Sequence, residues 1–341
     1  MWPCGAANWP ADGAERRDGE GRPVRSEFDL IKRYLTGLGS ARDDVICGVG
    51  DDAAIVTPSA DATLLLALDT LVDGVHFPTD CPAESVGYRA LAVNLSDIAA
   101  MGGRPCWALV GLTLPAVDEA WVAGFARGLD WLARAHDVAV VGGDVTRGPL
   151  TISVQITGSC AAPPLRRDGA RVGDELWVSG RPGEASAGLE AWQAGERSSS
   201  RWQGLRNAFL APQPRVLLGQ ALCGVASAAI DVSDGLLADA GHIGSASGVA
   251  LHITGSRLQP SARLQAWAGP AQAQTAYLAG GDDYELCFTA PPAARRQVMA
   301  AARAARTPVR CIGAVRAGEG LYLDGQALAA NKFAGYEHFG S

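Results

Sequence analysis

Apolar and polar positions along this chain change their spacing from segment to segment, and the spacing predicts alternating helices and strands. From Glu27 the run EFDLIKRYL has helical spacing. TLLLALDTLVDGVHF opens with an unbroken apolar stretch, Leu64 to Leu68, which predicts a strand buried on both faces. PAESVGYRALAVNLSDIAAMGG starts with proline and acid, carries apolar residues at helical intervals and stops at Gly-Gly, so it predicts a helix. A second helix, DEAWVAGFARGLDWLARAH, places Trp121, Val122, Phe125, Leu129 and Leu132 on one stripe. VAVVGGDVTRGPLTISVQITGS then reads as strand, loop, strand.

Between about 160 and 175 the texture becomes dense in Pro, Gly and charge, and a domain boundary belongs there. The second half again mixes elements. It has strands at ELWVSG, SAAIDVS, VALHIT, YELCFTA and VRCIGAV, and helices at EASAGLEAW, PRVLLGQALCGVA, DGLLADAGHIGSAS and about 292 to 306, with a hairpin at Asp324-Gly325. The division expected is 1–24 as a flexible extension without periodicity, 25–162 as one domain and 163–341 as another, of mixed α/β class. NLSDIAAMG at 94 and DVSDGLLAD at 231 both run Asn or Asp, apolar, Ser, Asp, then helix, and VGGDV echoes AGGDD, which suggests two related halves.

The length of 341 residues has room for two such domains, and 48% hydrophobic with 19% charged residues is the balance of an ordinary soluble globular protein. No apolar run reaches the roughly 18 residues that span a bilayer, and no secretory pattern opens the chain, so a cytoplasmic location with no membrane partner is expected. The eight cysteines are scattered singly without a Cys-x-x-Cys pair, which favours free thiols over disulfides or zinc. A net charge of −7 speaks against nucleic acid as a partner. Only Lys32 and Lys332 are lysines, so no lysine stands in a glycine-rich loop to grip phosphate.

Asp51, Asp52, Asp69, Asp97, Asp144, Asp231, Asp234, Asp282 and Asp283 sit at the ends of apolar runs or beside glycine and serine. Any one of them is as well explained by a cap or a turn. Carboxylates gathered in a partly buried cleft repel one another and need a cation, and hard oxygen donors call for magnesium and, with it, nucleotide phosphate. GGDVTRG (142 to 148) and GGDDYEL (280 to 286) offer backbone amides beside a carboxylate. No P-loop and no dinucleotide fingerprint is present, so ATP would bind without one. Arg147, Arg166 and Arg167 are available for phosphate, although a solvated surface role suits Arg166 better. His76 beside Phe77 fits a structural role better than a catalytic one, and no Ser-His-Asp or Cys-His set assembles. The acidic residues alone would also permit a metal-dependent phosphohydrolase.

In order along the chain, GDDAAIV, DTLVDGVHF, ALAVNLSDIAAMGGRP, VGGDVTRGPL, RRDGARVGDELWVSG, AIDVSDGLLADAGHI and GGDDYELCFT resemble the thiamine-monophosphate kinase family over about residues 25 to 340. The resemblance implies a two-domain aminoimidazole ribonucleotide synthetase-like fold. In it an N-terminal domain binds ATP and magnesium and pairs its sheet across a homodimer, and a C-terminal α/β sandwich domain completes the site. It implies in-line transfer of the γ-phosphoryl group of ATP to thiamine monophosphate. Asp52, Asp69, Asp97, Asp144, Asp231 and Asp234 would hold several Mg2+ ions, Asp52 rather than Asp51 being the ligand of its pair. Gly143, Asp144, Arg167 and Ser233 would contact ATP, and His76, Asp282 and Tyr336 would line the substrate pocket. Two positions depart from the family pattern. Ala67 and Leu68 replace hydroxyl residues before Asp69, leaving backbone carbonyls as ligands, and Asp282 stands where Glu is commoner. The alternatives are another ATP-dependent member of the superfamily, the phosphohydrolase, and a non-catalytic ATP-sensing paralogue.

Overall fold

The computed structural model describes residues 26–328. The expected extension at 1–24 and Tyr336 lie outside the described residues. The chain divides into two compact units, one ending at Asn94 and resuming over Pro105–Gly158, the other formed by Leu95–Arg104 and the chain from Ser159 onward.

The first unit opens with α1 (Glu27–Leu30), capped by Ser26 and continued as a wider turn over Ile31–Leu35. β1 (Val45–Cys47) and β2 (Ile55–Val56) form a small ribbon. β3 (Thr63–Val72), α2 (Ala83–Ala100), β4 (Arg104–Leu114), α3 (Glu119–Ala135), β5 (Ala139–Arg147) and β6 (Thr151–Cys160) follow, and the four longer strands make one sheet in the order β3-β6-β4-β5. Asp118 caps α3 through the Trp121 amide, and Val122, Phe125, Leu129 and Leu132 of the expected stripe are buried. Gly87 and Gly128 let α2 and α3 touch backbone to backbone: a Cβ on Gly128 would stand 1.8 Å from the Glu84 carbonyl oxygen. Arg42 holds Asp44 and Asp137, and the Trp107 indole donates to Asp44, so the ribbon is tied to the sheet.

Three expectations fail in this unit. β3 is a strand, yet Leu64, Leu66 and Leu68 are exposed, Leu66 to 72%, because only the face carrying Leu65 and Leu71 packs inward and the opposite face is uncovered. Gly142, Gly143 and Asp144 lie inside β5 rather than in a loop. Gly143 takes φ +152°, and a Cβ there would fall 1.9 Å from the Val110 oxygen of the parallel neighbour β4. The echo between 94 and 231 also fails, since Asn94, Ser96 and Asp97 sit within α2, whereas Asp231 ends a strand and Asp234 follows it in a loop.

The second unit contains β7 (Glu175–Ser179), α4 (Glu184–Gln193), α5 (Gln203–Leu210), α6 (Val216–Leu222), β8 (Ala228–Val232), α7 (Leu236–Ser247) and β9 (Ala250–Ile253). After these come α8 (Ala262–Ala268), α9 (Pro270–Ala279), β10 (Glu285–Ala290), α10 (Arg295–Ala304), β11 (Val309–Arg316), β12 (Gly320–Leu323) and β13 (Gln326–Ala327). Its seven strands run β13-β12-β9-β11-β7-β10-β8, with a core of Leu176, Val178, Ile230, Val232, Leu237 and Ile243 among others. The hairpin at Asp324-Gly325 has φ +49° and +82°, the left-handed pair that a two-residue turn requires. Every described cysteine is a free thiol.

Gly128→Ala should cost about 2–3 kcal/mol, because the methyl group meets a helix backbone that cannot swing aside. Urea unfolding of the purified variant would measure it, and an unchanged midpoint would refute the close contact of α2 and α3.

Candidate functional site

In the first unit the glycine-flanked pair at 51–52 connects β1 to β2. The Asp51 carboxylate accepts from the Asp52 amide at 2.9 Å, so Asp51 shapes the turn and Asp52 points onward. Both are exposed, as is Asp144, which differs from the partly buried cleft expected: these side chains leave a strand or turn toward solvent. Asp69, between the exposed Leu68 and Thr70, faces inward, its amide bonded to the Asn94 side chain at 3.2 Å, and burial raises its carboxyl above the usual range. Ala67 is half-buried on the same face as Asp69, while the Leu68 side chain turns outward. His76 is half-buried and its Nδ1 accepts the Val72 amide at 2.9 Å, which fixes the ring with Nδ1 unprotonated.

Beside Gly143 and Asp144 lies a small recess of about 30 Å3, walled by Ile31, Leu35, Val49, Val110, Leu129 and Val140. Arg147 is exposed at the end of β5.

The second unit gathers three loops at neighbouring strand ends, because β10 lies between β7 and β8. Asp231, buried in β8, stands opposite Leu286 of β10. After it, the amides of Ser233, Asp234 and Gly235 all donate to one oxygen of Asp239, at 3.0, 3.1 and 3.2 Å. Asp239 is pushed up to about 7, first by burial and then by the charges of Asp231 and Asp234. Asp282 donates its amide to the Ser233 carbonyl at 2.8 Å and accepts from the Tyr284 hydroxyl at 3.0 Å. Asp283 is buried and accepts from the amides of Gly183 and Ala185 at 2.6 and 3.2 Å, closing the start of α4. Burial holds its carboxyl well above the usual range, against the pull of those two amides. Asp97 is half-buried in the last turns of α2. Arg167 is exposed in a short turn whose carbonyl accepts the Ser247 hydroxyl, and Arg166 is exposed and paired with Asp168, the surface role expected of it.

Sequence reasoning missed Asp239, Glu285 and Arg215. Asp239 reads as an ordinary helix residue, and its only signal is a position five after Asp234 in the first turn of α7. As for magnesium, every candidate donor is a hard oxygen, from a carboxylate or a backbone carbonyl, and the mutual repulsion of Asp231, Asp234 and Asp239 is what a divalent cation would relieve, so the donor chemistry fits. Among the described residues, no three or more His, Cys, Asp or Glu side chains stand together as a ready ligand set.

Residues 50–160 match the family "AIR synthase related protein, N-terminal domain". At full length, the chain is 42% identical over 321 residues to the thiamine-monophosphate kinase of Salmonella typhimurium, covering 92% of this chain and 98% of that one. The crystal structure of the thiamine-monophosphate kinase from Stenotrophomonas maltophilia K279a superposes with a TM-score of 0.81 at 44% identity, over 88% of this chain and 95% of that one. A structure of AaThiL complexed with AMPPCP and TMP superposes with a TM-score of 0.75 at 32% identity, over 93% and 99%. The chain belongs to the thiamine-monophosphate kinase family, a family of phosphotransferases with the aminoimidazole ribonucleotide synthetase-like fold. No helix of the described residues is long and apolar enough to cross a membrane.

The pH dependence of stability checks the burial of Asp283. Its folded carboxyl keeps its proton to higher pH than the unfolded one, so the stability it contributes is present below about pH 4 and is lost as pH rises through the folded value. Asp283→Asn should show a smaller fall in Tm between pH 5 and pH 8 than the parent chain. Parallel profiles would mean that Asp283 ionises normally.

Proposed function

We propose that this protein transfers the γ-phosphoryl group of ATP to thiamine monophosphate, giving ADP and thiamine diphosphate, the last step in making that coenzyme. What carries the reading is the 42% identity to a thiamine-monophosphate kinase over 92% of the chain. A relative complexed with AMPPCP and TMP supports ATP and thiamine monophosphate as the two substrates.

The acceptor is already an anion, so no general base is required. The barrier lies in bringing two polyanions into line within a few ångströms. From the first unit Asp52, Asp69 and Asp144, with the carbonyls of Ala67 and Leu68, would hold Mg2+. In the second unit Asp97, Asp231 and Asp234 would hold Mg2+. Bound there, magnesium neutralises phosphate charge and stabilises the charge that develops on the transferring group. The chain's own task is orientation. Gly143 lets its strand press against the Val110 carbonyl of β4, which fixes where Asp144 is carried. Ser233 and Arg167 would meet the phosphates, and Asp239 holds the Ser233–Asp234 backbone in place for that. His76, Asp282 and Tyr336 would take the thiamine phosphate.

We read 25–162 as the ATP, magnesium and dimerisation domain, 163–341 as the domain completing the site, and the working state as a cytoplasmic homodimer. The exposed Leu64, Leu66 and Leu68 on an end strand support pairing with a second copy.

A coupled ADP assay tests the reaction: turnover is expected with thiamine monophosphate, and none with free thiamine or without magnesium. Asp52→Asn and Asp97→Asn should each lower kcat by orders of magnitude while circular dichroism stays unchanged, and near-normal activity in either would sink the shared metal role. Leu66→Asp should convert a dimer to a monomer in sedimentation, and a persisting dimer would move the interface elsewhere.

A further inference from the structure

Asp282 and Tyr284 hold φ at +67° and +51°, a region that side-chain-bearing residues avoid. Strain of this kind persists only where the surroundings over-determine the backbone. On one side, the amides of Asp282 and Tyr284 donate to the carbonyls of Ser233 and Val232, both at 2.8 Å. On the other side stands the carboxylate of Glu285, only 5% exposed. Arg215 grips it with Nε at 2.6 Å and with Nη2, the Ser179 hydroxyl donates to it at 2.5 Å, and the Arg181 amide reaches it at 3.4 Å. Ser179 in turn accepts the Leu286 amide at 2.8 Å. Gly180 sits so close that a Cβ would fall 1.6 Å from the carboxylate oxygen.

A buried ion pair adds little net stability over an apolar pair of equal volume, so stability alone does not account for this clasp. A guanidinium fork differs from an apolar contact in fixing direction. Here the fixed direction joins the loop from Ser179 to Ala185 to the segment from Asp282 to Glu285, and the Asp283 bonds to Gly183 and Ala185 join the same two pieces a second time.

We propose that Arg215 is a positioning residue for the acceptor substrate: through Glu285 and Ser179 it locks the strained Asp282–Tyr284 segment in the form that presents Asp282 to thiamine monophosphate. This deepens the function proposed above and rests on its placing Asp282 in the substrate pocket. Arg215 touches no reacting atom, so its effect belongs in acceptor affinity and leaves ATP affinity alone.

The test compares Arg215→Lys, which keeps the charge but loses the fork, with Ser179→Ala, which removes one hydroxyl. KM for thiamine monophosphate should rise about tenfold in the first and about threefold in the second, with kcat within about twofold and KM for ATP unchanged. A merely structural role would lower Tm and the active fraction and leave both KM values alone. That result, or an equal rise in both KM values, overturns the proposal. If Arg215→Lys does not fold, Ser179→Ala decides by the same criteria. A parent chain unable to phosphorylate thiamine monophosphate defeats the functional reading and this inference with it. A fully active parent with unaffected variants defeats this inference alone.

Discussion

Backbone amides clasped by carboxylates govern the second unit. One oxygen of Asp239 gathers three consecutive amides and so fixes the loop after β8, while both oxygens of Asp283 are spent on the entrance to α4. Each arrangement costs desolvation, and the raised values of the two carboxyls register that cost. Three loops thereby acquire one geometry through hydrogen bonds to buried carboxylates.

The first unit obtains its geometry differently. Its glycines bring backbones together, at Gly87 and Gly128 between helices and at Gly143 between parallel strands. Asp144 is therefore carried on a strand that cannot shift without colliding with β4. The neighbouring ribbon is anchored by Arg42, Asp44 and Trp107, so the turn bearing Asp52 starts from a fixed point although its own carboxylates are in solvent.

The helical stripe of α3 and the hairpin at Asp324-Gly325 were legible because spacing and turn chemistry are local properties. The burial of β3 was not, because a run of leucines looks the same whether one face of its strand or both are covered; only tertiary packing separates the two cases. Gly142-Gly143-Asp144 read as a turn for a similar reason, since glycine pairs commonly break strands and the close approach of β4 is a long-range fact. The proposed metal ligands were singled out as aspartates beside glycine, serine or apolar runs, and their individual roles, like those of the proposed substrate residues, came from family resemblance. Asp239, Arg215 and Glu285 escaped both routes: their partners are backbone amides and side chains whose proximity only the fold creates.

The leucines of β3 carry a cost during synthesis. Among the described residues, Leu64, Leu66 and Leu68 stand on a strand whose outer backbone edge has no neighbour in its own sheet, and such an edge accepts any extended segment offered to it. An open edge of this kind is a template for misassembly, so the yield of native protein should fall as the concentration of newly made chains rises.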